Sequence, residues 1–126
     1  MIKKALLLDD DEMILTFFTT LLAKKFGIRS ATAINGIEGL EVLEKEHVDI
    51  IFMDIMMPKL DGISFLEKIR SDSRFESIPV IVISAVNQKD VIAKLAKLGI
   101  GDYILKPLEF TRIIDKLNDL FGKYDS

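Results

Sequence analysis

Apolar residues along this chain fall into two alternating rhythms. Four short stretches are almost unbroken apolar runs: KKALLL at 3–8, VDIIFM at 48–53, IPVIVIS at 78–84 and GDYILK at 101–106. Runs of this length, rich in Val, Ile and Leu, predict strands covered on both faces. Between them, apolar residues recur three and four positions apart, as in Ile14, Phe17, Phe18, Leu21 and Leu22. The same spacing returns in Ile37, Leu40 and Leu43, in Ile63, Leu66 and Ile69, and in Val91, Leu95 and Leu98. A last set is Ile113, Leu117, Leu120 and Phe121. Each set is one stripe of an amphipathic helix, so five helices are predicted. RSATA at 29–33 carries the weakest pattern. It is read as a strand because a gap there would leave two helices in succession with no strand between them.

Punctuation supports the same partition. Gly27 and Gly99 each follow a helical stretch, where glycine tolerates the left-handed conformation that closes a helix. Asn35-Gly36 and Asp61-Gly62 stand at turn or helix-start positions. Five strand-helix alternations predict an α/β fold with a mainly parallel sheet. In open sheets of that kind, ligands bind beyond the carboxyl ends of the strands.

Composition narrows the function. With 126 residues the chain is the size of one domain, and 49% apolar with 29% charged residues is a globular balance. The longest apolar runs fall far short of the roughly 20 residues that span a bilayer, and no signal peptide is evident. A cytoplasmic protein without membrane insertion is expected. The absence of cysteine excludes disulfides and thiolate metal sites, and a net charge of −3 gives no general attraction to nucleic acid or anionic lipid.

The loops after the strands hold the candidate chemistry. Asp9, Asp10 and Asp11 follow the first strand, Asp54 the third, Ser84 and Ala85 the fourth, and Lys106 and Pro107 the fifth. Carboxylates gathered in a small volume repel unless a cation shares the space. Oxygen donors without His or Cys favour a hard ion, and few carboxylates plus water favour Mg²⁺ over a closed Ca²⁺ cage. Beside such an ion Asp54 could attack phosphorus to form an acyl phosphate, with Ser84 and Lys106 binding the phosphoryl oxygens. Plainer readings stand beside these. Asp10 or Asp11 could cap the helix beginning near Glu12, Ser84 could be a turn residue, and Tyr103 a packed aromatic. His47 is expected on the opposite edge as surface structure, and the methionines of MDIMM as packing and turn residues.

LLLDDDE, DIIFMDIMMPKLDG, VIVISA and DYILKP resemble the receiver domain of bacterial two-component response regulators, including chemotaxis regulators, from Lys3 to Leu120. The intervals from Asp10 to Asp54, Asp54 to Ser84 and Asp54 to Lys106 all match that family. The resemblance implies a flavodoxin-like (βα)5 fold with strand order 2-1-3-4-5 and helices on both faces. It implies one receiver domain over 1–126 without an output domain, either free-standing or cut from a longer protein. Asp9, Asp10, Asp54 and the backbone carbonyl of Met56 would hold Mg²⁺. Asp54 would accept the phosphoryl group, Ser84 and Tyr103 would act as switch residues, and Lys106 would bind a phosphoryl oxygen. The Lys106-Pro107 bond would be cis, while Asp11 receives no role.

A histidine kinase or phosphotransfer protein would be the donor, and the downstream partner is left open. The chain would catalyse only its own phosphorylation and dephosphorylation, as a monomer or a phosphorylation-dependent dimer. Its output surface would combine the fourth helix, fifth strand and fifth helix, with Lys89, Lys94, Lys97, Tyr103 and Arg112 making it mildly basic. Apolar Met56 and Val86, flanking the path of the hydrolytic water, would slow self-dephosphorylation. Two alternatives are a phosphatase of the haloacid dehalogenase kind and a receiver that binds partners without being phosphorylated. Against the first, Met56 stands where that class carries its second Asp.

Overall fold

The structure is a computed structural model that describes residues 1–125. Strands and helices alternate throughout: β1 (Lys4–Leu8), α1 (Glu12–Phe26), β2 (Arg29–Ala33), α2 (Gly36–Lys45), β3 (Ile50–Met53), α3 (Gly62–Arg70), β4 (Val80–Ser84), α4 (Lys89–Leu98), β5 (Asp102–Leu105) and α5 (Phe110–Asp125). The five strands form one sheet in the order β2-β1-β3-β4-β5, and every pairing is parallel. The fold is the flavodoxin-like arrangement of the sequence reading.

Position in the sheet explains the strength of each sequence signal. Central β3 and β4 are buried along their whole length, and β1 nearly so. Edge strands β2 and β5 each bury only one residue fully, the rest being half-buried or exposed, which is why RSATA carries so faint an apolar pattern. The third and fourth strands begin two residues later than their apolar runs. Pro79, immediately before β4, has no N–H to give to a ladder.

Each face of the sheet is covered by its own core. Phe18, Leu22, Ile113, Leu117 and Phe121 of α1 and α5 pack with Leu7, Phe52, Ile81 and Ile83 on one side. Leu43, Phe65, Leu66 and Leu95 of α2, α3 and α4 pack with Leu6, Met53, Val80 and Val82 on the other. Burying a large apolar side chain contributes about 1.5–3 kcal/mol, so these two layers supply most of the driving force. Ile37, expected on the inner stripe of α2, is instead 48% exposed. The inner face there is glycine: a Cβ on Gly39 would meet Leu8 and Phe65 side chains, so α2 lies close to the sheet and turns Ile37 outward.

Three helices begin on side-chain caps. Asp11 accepts from Met13 N–H, Asn35 from Glu38 N–H and Asp61 from Ser64 N–H. Glu38 also accepts from the N–H of Ile34, the residue before the cap, which ties the entering chain to the first turn of α2. By contrast α4 has no side-chain N-cap and buries only Leu95. Gly27 closes α1 in the left-handed conformation, as expected. Gly99 also has positive φ, but its φ of 95° and ψ of 91° lie outside the left-handed helical region, so α4 is closed differently. Among the described residues no helix is long and apolar enough to cross a membrane.

Candidate functional site

Parallel strands deliver their carboxyl ends to one edge, and the candidate residues gather there. Asp9 follows β1, Asp54 follows β3, Ser84 ends β4, and Lys106 follows β5. Asp9 is 4% exposed, Asp54 7% and Ser84 0%. Buried carboxylates are costly unless paired and hydrogen-bonded. The pairing comes from Lys106, whose Nζ stands 2.9 Å from Asp9 Oδ2 and 2.8 Å from Asp54 Oδ2. One ammonium thus bridges two acids that would otherwise repel.

The second oxygen of each acid is held by the backbone. Asp11 N–H donates to Asp9 Oδ1 at 2.9 Å, and Met56 N–H donates to Asp54 Oδ1 at 3.1 Å. Both are turns in which an aspartate accepts from the N–H two residues on. The family resemblance gave Asp11 no role; its side chain makes the cap of α1 that the sequence offered as one option, and its backbone N–H also orients Asp9. Gly62 was read only as a helix start. Its N–H donates to Ile55 O, and a Cβ there would lie 2.7 Å from Asp54 O, so its lack of a side chain lets α3 start directly against the Asp54 backbone.

Electrostatics follow from burial and pairing. Burial pushes the Asp9 carboxyl above the usual range, opposed by the Asp11 N–H and by Lys106. For Lys106, burial works against the charge, but hydrogen bonds to Asp54 and Asp9 outweigh it and raise its pKa. The ammonium is therefore fully charged at neutral pH. Tyr103 is also raised, chiefly by burial, with the Ser84 hydroxyl pulling the other way and the Asp54 charge adding to the rise.

Ser84 and Tyr103 sit together beside the acids. Ser84 Oγ accepts from Val86 N–H at 3.3 Å, and the Tyr103 hydroxyl donates to Val86 O. The β4–α4 loop is thus held to β5 by the tyrosine. The Lys106-Pro107 peptide bond is cis. Asp10 and Asp11 are exposed on the β1–α1 loop, Met56 is 67% exposed at the mouth, and Val86 is half-buried. Lys89, Lys94, Lys97 and Arg112 are exposed, with Lys94 lining the same surface cavity as Asp10 and Met56. His47 lies at the opposite edge, paired with Asp49 at 2.8 Å.

The oxygen donors at this edge suit a hard divalent cation that retains several waters. Among the described residues no three acidic, His or Cys side chains converge as a ready-made cage. Asp9 and Asp54, with Asp10 one residue along, are the carboxylates available to an ion. The arrangement gathers two buried carboxylates, one ammonium and a buried hydroxyl at this edge.

Comparison with known proteins identifies the pattern. Residues 5–118 match the family described as the response regulator receiver domain. The probable C4-dicarboxylate response regulator DctR of Bacillus subtilis (strain 168) is 37% identical over 87% of this chain and 48% of its own length. Protein PilG of Pseudomonas aeruginosa is 39% identical over 82% of this chain and 76% of its own. The first curated relatives are longer, and the chain spans less than half the length of each. Among solved structures, the receiver domain of Francisella response regulator 1452 superposes with a TM-score of 0.81, at 35% identity over 97% of this chain and 98% of that one. The receiver domain of sensor histidine kinase PA1611 from Pseudomonas aeruginosa PAO1, which has a magnesium ion coordinated in its active site cleft, superposes at 0.80, with 25% identity over 97% of this chain and 99% of that one.

Proposed function

We propose that this chain, which belongs to the response regulator receiver domain family, is a signalling switch operated by phosphorylation of Asp54. The observation that carries this reading is the buried triad in which Lys106 Nζ bridges Asp9 and Asp54. A buried aspartate with a cation already in hydrogen-bond contact is suited to nucleophilic attack.

The donor is a phosphohistidine of a histidine kinase or phosphotransfer protein. An Asp54 carboxylate oxygen forms a bond to phosphorus, the histidine N–P bond breaks, and the donor imidazole leaves with the nitrogen's electron pair and takes up a proton. Asp9, Asp10, Asp54 and the Met56 carbonyl would hold Mg²⁺, which when bound neutralises charge on the transferring group. Lys106 contributes a second, permanent positive charge in hydrogen-bond contact with the nucleophile. Ser84 supplies a hydroxyl to the phosphoryl oxygens. The chain catalyses only its own phosphorylation and dephosphorylation, and we place it in the cytoplasm with its donor.

Output is a shift between two arrangements. Once Asp54 carries a phosphoryl group, the bonds that Lys106 and Ser84 make to it compete with their present ones. Ser84 and Tyr103 both hold Val86, so a change at Ser84 is passed to the β4–α4 loop and to the α4–β5–α5 face. That face is where the downstream partner binds.

The test is intact mass after incubation with acetyl phosphate, in Mg²⁺, in EDTA, and for Asp54→Asn in Mg²⁺. The expected result is one phosphoryl increment for the wild-type chain in Mg²⁺ and none in the other two samples. Absence of labelling where another receiver is labelled in parallel, or undiminished labelling of Asp54→Asn, would overturn the reading.

A further inference from the structure

The helix nearest the switch, α4, buries the fewest residues of the five helices among the described residues. Of the ten residues of α4 only Leu95 is buried, and its N-cap Gln88 makes no side-chain cap bond. Besides the packing of Leu95, Val91 and Leu98 on the core, each end of the helix is tethered by one side chain from another element.

 At the N-terminal end the Tyr103 hydroxyl of β5 donates to Val86 O, three residues ahead of the helix. At the C-terminal end the half-buried Arg70, the last residue of α3, donates through Nε at 3.1 Å and Nη2 at 2.9 Å to Gly99 O, the carbonyl of the residue that caps α4. Its Nη1 donates at 3.1 Å to Glu76 O in the α3–β4 connection.

These tethers differ in kind. Tyr103 lies beside Ser84 and Asp54, so its bond is exposed to whatever happens at the phosphoacceptor. Arg70 touches no residue of that site. Its planar guanidinium grips one carbonyl with two donors and a second segment with a third, a rigid bridge that a lysine could not reproduce. Gly99, with φ of 95°, supplies backbone freedom next to the gripped carbonyl.

We infer that Arg70 pins the C-terminal end of α4 as a pivot, so that the Ser84–Tyr103 switch moves the helix at its N-terminal end. This deepens the proposed phosphorylation switch by assigning its regulated surface. The part of α4 that reports on Asp54 is the half carrying Lys89 and Asp90, while the half around Lys97 and Leu98 stays in place. A downstream partner that reads phosphorylation must therefore contact the first half.

Amide hydrogen exchange on the full chain, followed by mass spectrometry, tests the two tethers separately. In the unphosphorylated protein Arg70→Ala should speed exchange roughly tenfold at residues 96–101 and leave 87–92 within about twofold. Tyr103→Phe should do the reverse. On phosphorylation, wild type should change at 87–92 only, and Arg70→Ala should spread the change to 96–101. Arg70→Lys, which keeps the charge and stem but not the fork, should fall between and serves as the probe if Arg70→Ala does not fold. Equal effects of Arg70 and Tyr103 variants along the whole helix, or a wild-type phosphorylation response as large at 96–101 as at 87–92, would overturn the pivot. Intact mass on the same samples separates the two ideas. Lack of a phosphoryl increment defeats the phosphorylation reading, whereas the unphosphorylated variants still decide whether Arg70 and Tyr103 hold opposite ends.

Discussion

Replacing Lys106 with methionine removes the one cation that the two buried acids share while keeping most of the side chain's bulk. The Lys106 side chain is only 19% exposed, and those of Asp9 and Asp54 are 5% and 9% exposed, so solvent screens little of the interaction. Removing one partner of a buried pair costs about 3–5 kcal/mol because the remaining charge is stranded. The partial exposure of Lys106 places this case at the lower end, about 3 kcal/mol, or roughly 10 °C in Tm for a domain of this size. The loss should depend on pH in one direction. Asp9 already titrates above its ordinary range because of burial, and without Lys106, whose hydrogen bond and charge oppose that rise, it should go further. An acid whose folded pKa is raised binds its proton more tightly in the folded state, so stability falls as pH rises through the carboxylate range. The deficit of Lys106→Met should therefore be complete near pH 7 and shrink as pH drops toward about 4. Lys106 has a raised pKa, so its own contribution in wild type is fully present below the ordinary lysine value near 10.4 and lost only above it. The interval between pH 7 and pH 4 thus isolates the carboxylates. Urea unfolding of both proteins at each pH measures the difference without adding salt that would screen it. Equal deficits at the two pH values, or a variant as stable as wild type at pH 7, would refute the argument.

Two further substitutions probe the walls of the site. Gly62→Ala should lower stability by about 1–3 kcal/mol, because the new methyl meets Asp54 O and Ile55 Cα, both at 2.7 Å and both backbone. It should also slow phosphorylation of Asp54 by displacing its main chain, as urea midpoints and initial labelling rates would show. Met56→Asn should speed decay of the phosphorylated protein, since an amide at that exposed position can orient a water where a thioether cannot. Equal decay rates by intact mass would remove Met56 as the cause of a long lifetime.

What could be read from the sequence divides along physical lines. Central strands were plain because burial on both faces demands unbroken apolar runs, and β3 and β4 are buried at every position. The helices showed through their stripes, and their starts through Asn35 and Asp61, whose side chains do cap α2 and α3. Composition alone left Asp10 and Asp11 as equal candidates for the cap of α1, and only geometry assigns it to Asp11. The outward turn of Ile37 was hidden for a related reason. A stripe records which side of a helix is apolar, but the close seat of Gly39 on Leu8 and Phe65 decides how that helix is rotated.

The site was legible where its parts are side chains of unusual chemistry at strand ends. It was illegible where the working atoms belong to the backbone, as with the N–H groups of Asp11 and Met56 that hold the second oxygens of Asp9 and Asp54. Any residue but proline could supply those donors, so no residue type announces them. Arg70 escaped for the opposite reason. It looks like an ordinary basic residue near a helix C-terminus, the commonest place for one. Its partner is the carbonyl of Gly99, which the sequence places 29 positions away. A carbonyl is common to every residue, so only the fold could reveal that one basic residue holds the far end of α4.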